Sequence, residues 1–230
     1  MSVVPKQLAF DMPVRAALGA EDFMVSSANA DALALVDRWP DWPHWAAVVA
    51  GPAQSGKTHL AHVWRYRSGG IVAAARALDE TLAAAFRDAS ALVIEELEAG
   101  VNDEQMLFHL LNIAREHKLS ILLTSRLAPG DLTIAFPDLR SRLRALPVVH
   151  IAPPDQPLLE AVLVKHFADR QLLVEPQVVA YLVRHMERSF AAAASIVAAI
   201  DRRSMADKRR VTRALASAVM LEGGISVERD

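Results

Sequence analysis

Between residues 45 and 151 the chain alternates short, mostly apolar runs with longer stretches whose apolar residues recur every three or four positions. The runs are Trp45–Ala50, Ile71–Ala74, Ala91–Ile94, Leu119–Leu123 and Val148–Ile151. Nearly continuous apolar character over so few residues is the pattern of a strand covered on both faces. The stretches between them carry helical signals. Leu60, Ala61, Val63 and Trp64 form an apolar face. Asp79 is placed to cap a helix. Asp103–His117 puts Leu107, Leu110, Leu111 and Ala114 on one side, and Pro137–Leu143 opens a short helix. Strand and helix in alternation predict an α/β fold, a parallel sheet flanked by helices.

From Pro153 onward only the helical period remains, in four segments: Pro157–Gln171, Pro176–Glu187, Ser189–Arg203 and Thr212–Leu221. This predicts a small α-helical domain, with Pro153-Pro154 as the hinge. Ahead of the sheet, Ser26, Ser27 and Asn29 can cap a helix running to Arg38, and the tryptophan-rich turn Trp39–Trp45 leads into the first strand. Those rings either border a nucleotide base or pack at the sheet edge, and packing is the commoner use of such rings. The expected division is an arm over 1–20, an α/β domain over 21–153 and a helical domain over 154–230.

The chemistry enters between the first strand and its helix. Gly51-Pro52-Ala53-Gln54-Ser55-Gly56-Lys57-Thr58 matches the phosphate-loop pattern G-x-x-x-x-G-K-[ST] at every fixed position. Glycines let the backbone approach a ligand. Successive N–H groups and the positive end of the next helix make an anion site. Lys57 supplies a point charge for phosphate, and the Thr58 hydroxyl a ligand for Mg²⁺. His59, next in line, is grouped with the loop, its ring read as structural.

The run Ala91–Ile94 ends in Glu95 and Glu96. An acid there can hold Mg²⁺ and its neighbour can orient water, although aspartate is usual where Glu95 stands. Thr124 and Ser125 end the fourth run, at the edge where α/β sheets bind ligands.

The bulk numbers remove other classes. The chain has 230 residues, a net charge of −2 and no cysteine. Disulfides and thiolate metal sites are excluded, and no global charge draws the chain to nucleic acid. Phe190–Ile200, the longest apolar stretch, is too short to span a bilayer, and the beginning of the sequence lacks a secretory pattern. The expectation is a cytoplasmic protein with no membrane partner.

The basic group Arg202, Arg203, Lys208, Arg209, Arg210 and Arg213 reads as a solvated face rather than a nucleic-acid contact. Near the start, Leu8, Phe10 and Met12 lie on a Pro-interrupted arm. That arm either docks into another protein's apolar groove or packs on its own domain.

Gly51-Pro52-x-x-x-Gly56-Lys57-Thr58-His59-Leu60, the acidic strand end, Leu123-Thr124-Ser125-Arg126 and Pro137-Asp138-Leu139-x-Ser141-Arg142-Leu143 together resemble the AAA+ module of the bacterial replication initiator DnaA, over roughly residues 20 to 225. The initiator carries a further DNA-binding domain, and here a lone module is expected. Gln7-Leu8-x-Phe10 resembles the peptide by which bacterial proteins dock on the DNA sliding clamp. The combination resembles the Hda family of DnaA-related regulators. Glu187–Phe190 and Leu107–Leu111 are similar to its alphaproteobacterial form.

The resemblance implies an AAA+ core with a helical lid, and ADP or ATP with Mg²⁺ as ligands. It implies docking on the DNA polymerase III clamp through Gln7, Leu8 and Phe10, with DNA reached indirectly. It also implies acceleration of ATP hydrolysis by DnaA, which prevents over-initiation. Arg142 becomes the candidate arginine finger, acting in trans, and a homodimer is compatible.

Two departures stand out. Ala191 occupies the place of the family's lid sensor arginine, with Arg188 one turn earlier, and Glu95 replaces aspartate. Both imply weak or no hydrolysis by the chain itself. A helicase-loader-type remodelling ATPase is the alternative function. A small-metabolite kinase is disfavoured by the Ser141-Arg142 element and the helical domain.

Overall fold

A computed structural model describes the backbone of residues 14–15 and 23–222 and the side chains of 25–222. Gln7, Leu8 and Phe10 therefore lie outside the described residues. The chain forms two compact units: Ser27–Ala152 lie in the first, and Met24–Ser26 with the stretch from Pro153 lie in the second.

Two-residue strands β1 (Val14–Arg15) and β2 (Phe23–Met24) precede helix α1 (Ala30–Arg38). The first unit is then built from β3 (Ala46–Ala50), α2 (Lys57–Ser68), β4 (Ile71–Ala74), α3 (Glu80–Asp88), β5 (Ala91–Glu95), α4 (Glu104–His117), β6 (Ser120–Ser125), α5 (Pro137–Arg144) and β7 (Val148–His150). The five strands β3 to β7 make one sheet in the order β4-β5-β6-β3-β7, with every pairing parallel. The five apolar runs of the sequence are these strands, and their alternation with helices is the predicted α/β layer structure.

β3 sits between β6 and β7, with Ala50 level with both Ser125 and His150. Three strand ends therefore converge where β3 gives way to α2. One side of the sheet buries Leu92, Ile94 and Leu123 against Phe86 of α3 and Leu110 and Leu111 of α4.

The tryptophan turn is packing. Trp42 stacks on the fully buried Trp64 at 5.1 Å between ring centres and 7° between planes, while Trp39 meets it edge-on. Their indole N–H groups donate to the Leu35 carbonyl and the Ser120 hydroxyl. These rings join α1 to α2, which is the role that large aromatics with one polar handle usually take.

Helix starts follow short-range chemistry. Asp79 and Asp103 accept the N–H of Leu82 and Met106 at 2.7 and 2.8 Å. Asn29 stands at the start of α1 without a side-chain capping bond, so the expected asparagine cap is absent. The start of α5 is satisfied from a distance. The Glu104 carboxylate accepts from both Ala135 and Phe136, at 2.9 and 2.6 Å.

The second unit holds α6 (Gln156–Asp169), α7 (Pro176–His185), α8 (Phe190–Asp207) and α9 (Arg213–Glu222). Its core centres on Phe167, Leu182, Ile196, Ile200, Ala216 and Met220. Helix α8 runs a turn beyond the predicted end at Arg203. Lys208 then closes it in a left-handed conformation, a geometry the sequence does not announce with glycine. Arg203 pairs with Asp207 and Glu222, and Arg213 lies over the Tyr181 ring, so part of the basic group serves its own unit.

Glu104→Ala deletes the acceptor of two N–H groups at the start of α5. It is expected to lower unfolding free energy by about 1–2 kcal/mol. A urea midpoint that falls with an unchanged slope checks this.

Candidate functional site

The turn between β3 and α2 is shaped for a ligand that backbone atoms can touch. A Cβ on Gly51 would lie 2.9 Å from the Ile151 carbonyl oxygen and 3.1 Å from Ser55 Oγ, so only glycine fits there. Gly56 stands at φ 89°, and Gln54 also takes a positive φ of 60°. These reversals wind the loop round a hollow. No side chain caps the start of α2, which leaves its N–H groups for an anion. Ser55 is buried, and its hydroxyl has no hydrogen-bond partner among the described residues.

Lys57 turns back over this loop and donates to the carbonyls of Gly51 and Pro52 at 2.7 Å each. Burial pushes its ammonium below the usual lysine value. Glu98 works against that and Arg126 adds to it. A phosphate placed here would give this cation the counter-charge that burial withholds.

The acids of β5 diverge. Glu95 stays in the site: one carboxylate oxygen is buried with no hydrogen-bond partner among the described residues, and the other is 3.8 Å from His62 Nε2 on α2. An orphaned oxygen beside the loop helix suits a hard cation. Glu96 takes a left-handed conformation, donates its N–H to Thr124 Oγ1 at 3.3 Å, and points its carboxylate to Arg76 at 3.6 Å. Thr124 and Ser125 are both buried, and the Ser125 carbonyl accepts the Gly51 N–H at 3.1 Å. The loop, Glu95, Thr124 and Ser125 are therefore gathered at one sheet edge. Thr58 is exposed on the first turn of α2.

Sequence reasoning missed Glu98. Its side chain is only 9% exposed, and its two oxygens take the Arg126 Nε–H at 2.6 Å and the Arg126 backbone N–H at 3.0 Å. Burial works to raise its carboxyl, but the hydrogen bonds from Arg126 outweigh burial and hold it below the ordinary glutamate value. Arg76 and His62 were missed as well. No motif marks these residues, since each acts through a partner on another element.

Arg142 is not gathered with the loop. It lies on α5, donates to Asn112 Oδ1 at 3.1 Å, and its guanidinium carbon sits 5.1 Å from the centre of the Phe108 ring. Glu104, at the carboxyl edge of the sheet, meets the start of α5, and Asn112 lies eight residues further down α4. At 1.5 Å per residue that is about 12 Å towards the amino edge, away from the chain's own phosphate loop. Arg188 is exposed in the segment before α8, and Ala191 is the second residue of that helix. Among the described residues there is no cluster of three or more His, Asp or Glu able to hold a metal by itself, and no helix is long and apolar enough to cross a membrane.

The depressed Glu98 carboxyl sets a pH dependence. Its pairing stabilises the fold above the unfolded value of about 4.5 and is lost as pH falls through the lower folded value. Denaturation profiles should show stability falling below about pH 5. Glu98→Gln should flatten that limb relative to the parent protein.

Residues 157–220 match the family described as the Hda lid domain. No curated protein matches the chain in sequence. Among solved structures, domain III of the Thermotoga maritima replication initiation protein DnaA superposes with a TM-score of 0.72 at 17% identity, over 89% of this chain and 95% of that one. AMPPCP-bound DnaA from Aquifex aeolicus gives 0.63 at 18% identity, over 81% and 68%. The Thermotoga maritima RuvB branch migration motor gives 0.69 at 17% identity, over 89% and 72%. At these identities the structures establish the AAA+ fold, and the lid carries the closer relationship. Residues 157–220 thus carry the lid of the Hda family, and the preceding unit has the AAA+ fold seen in DnaA domain III and RuvB.

Proposed function

We propose that this protein is a nucleotide-bound regulator of replication initiation that docks on the DNA sliding clamp and stimulates hydrolysis of the ATP held by DnaA. The observation that carries this reading is the Hda lid over residues 157–220, joined to a DnaA-like core. Arg142 supports it. Its position on α5, level with Asn112 of α4, sets it away from its own phosphate loop, where a guanidinium serves a neighbouring molecule better than its own. In this reading the neighbour is DnaA, and Gln7, Leu8 and Phe10 form the clamp-docking arm. A homodimer is compatible with this reading.

The chain's own nucleotide is ADP or ATP. The backbone of Gly51–Thr58 and Lys57 hold its phosphates, His59 follows the loop, and Thr124 and Ser125 line the strand end. Either Arg188 substitutes for the lid sensor or the sensor is missing. Thr58 and Glu95 hold Mg²⁺, which when bound neutralises phosphate charge. The residues fit such a ligand: an uncapped helix start, an orphaned Ser55 hydroxyl and an orphaned Glu95 oxygen all face chemistry that a nucleotide and its cation supply. Intrinsic turnover is weak, because Glu95 is longer than the usual aspartate and Glu96, the candidate water-orienting acid, is drawn to Arg76.

Hydrolysis of labelled ATP on DnaA, measured with clamp loaded on DNA, tests this. The intact protein should accelerate it, and Arg142→Ala should abolish most of the acceleration, on the ~10³-fold scale of arginine fingers in other NTPases. Gln7→Ala should lose clamp binding in a pull-down. Clamp binding without acceleration would instead assign the protein to remodelling ATPases of the helicase-loader type.

A further inference from the structure

Between residues 202 and 221 there are six basic residues and one acid, in a chain whose net charge is −2. The acids nearby are already engaged. Asp201 pairs with Arg170, and Asp207 and Glu222 both pair with Arg203. Arg202, Lys208, Arg209, Arg210 and Arg213 are exposed, and none of them has an acidic partner among the described residues.

The turn from α8 to α9 is built to hold still. Lys208 closes α8 in a left-handed conformation at φ 50°. The Ser204 carbonyl accepts the Arg209 N–H, and the Ser204 hydroxyl donates back to the Arg209 carbonyl. Val211 is buried in the unit's core, and the Thr212 hydroxyl oxygen accepts the Leu215 N–H at 3.3 Å to start α9. Arg213 lies over the Tyr181 ring of α7, 5.0 Å from its centre. Lys208, Arg209, Arg210 and Arg213 are thus anchored within six positions of one another.

Cations this close repel one another and gain most from a polyanion. Three of the four are arginines, whose fork matches phosphate oxygens. An anionic bilayer takes cations beside an apolar helix face. Helices α8 and α9 turn theirs into the core through Ile196, Ile200, Leu215 and Met220. A single strand is held by rings free to stack on its bases. Here the Tyr181 ring is engaged by Arg213 and by the His185 ring, 4.4 Å away. The backbone of a duplex needs neither an apolar face nor a free ring.

We propose that Lys208, Arg209, Arg210 and Arg213 form a contact surface for the phosphate backbone of double-stranded DNA, without sequence preference. It uses neither the clamp arm nor Arg142. It gives the chain a direct hold on DNA, where the function above reaches DNA only through a partner.

Fluorescence anisotropy of short labelled duplexes of two unrelated sequences, titrated with the whole protein across a salt series, tests this. Both duplexes should bind alike. Contacts by these cations predict a slope of about −3 to −4 in log affinity against log salt, a loss on the order of a hundredfold between about 50 and 200 mM. The double variant Arg209→Gln/Arg210→Gln should weaken both duplexes at least about tenfold and reduce the slope by about two. Its unfolding midpoint should not move. Arg65→Gln/Arg115→Gln removes two exposed charges from the first unit and should leave the slope unchanged. Equal losses in the two double variants would overturn the proposal, since general charge would then be the cause. Unchanged affinity in Arg209→Gln/Arg210→Gln would overturn it as well. So would tighter binding, lost in the same variant, to a single strand of equal length or to phosphatidylglycerol vesicles.

Discussion

A backbone turn that leaves its own N–H groups unsatisfied is the constraint on which this structure depends. Unpaired donors are costly unless a ligand or water takes them. The loop between β3 and α2 accepts that condition, and both neighbouring strands hold it in place. β6 supplies the Ser125 carbonyl to the Gly51 N–H, and the end of β7 brings Ile151 so close that no side chain fits on Gly51. The sheet order follows from this requirement: β3 needs a partner on each side to fix the turn, so β7 must cross to its free edge.

The same edge sorts similar residues into different tasks by backbone conformation. Glu95 ends a strand and keeps its carboxylate inward, with one oxygen buried and unpartnered. Glu96, one residue later, turns left-handed and faces Arg76. Glu98 follows in the next short turn and closes on Arg126. Three acids within four positions thus meet three surroundings, which no local composition would separate.

That contrast explains what was legible. The central strands β3, β5 and β6 could be read because burial on both faces demands consecutive apolar residues, while the edge strands β4 and β7 are only partly buried. The caps at Asp79 and Asp103 could be read because their bonds span three residues. The phosphate loop could be read because its demands fall on adjacent positions. What escaped depends on distance in sequence: Glu98 meets Arg126 across 28 positions, Glu104 meets Phe136 across 32, and Arg142 meets Asn112 across 30. The tryptophan turn was ambiguous for the same reason. The ring that settles it, Trp64, lies on the next helix and becomes a partner only once α1 and α2 pack.

These long-range pairs share one element. The end of β5, the turn after it and helix α4 carry Glu95, Glu96 and Glu98 at the phosphate edge, then Glu104 under the start of α5, then Phe108 and Asn112 beneath Arg142. α5 is therefore pinned to α4 at two levels, one at its first turn and one near its last. Two contacts on parallel helices fix both position and rotation, which a single contact leaves open. Arg142 is consequently held at a set offset from the chain's own phosphate loop. Any partner that receives the guanidinium meets it in an orientation already determined by this domain. Little side-chain ordering then remains to be done on binding, and ordering a long arginine is one of the larger entropic costs of an interface.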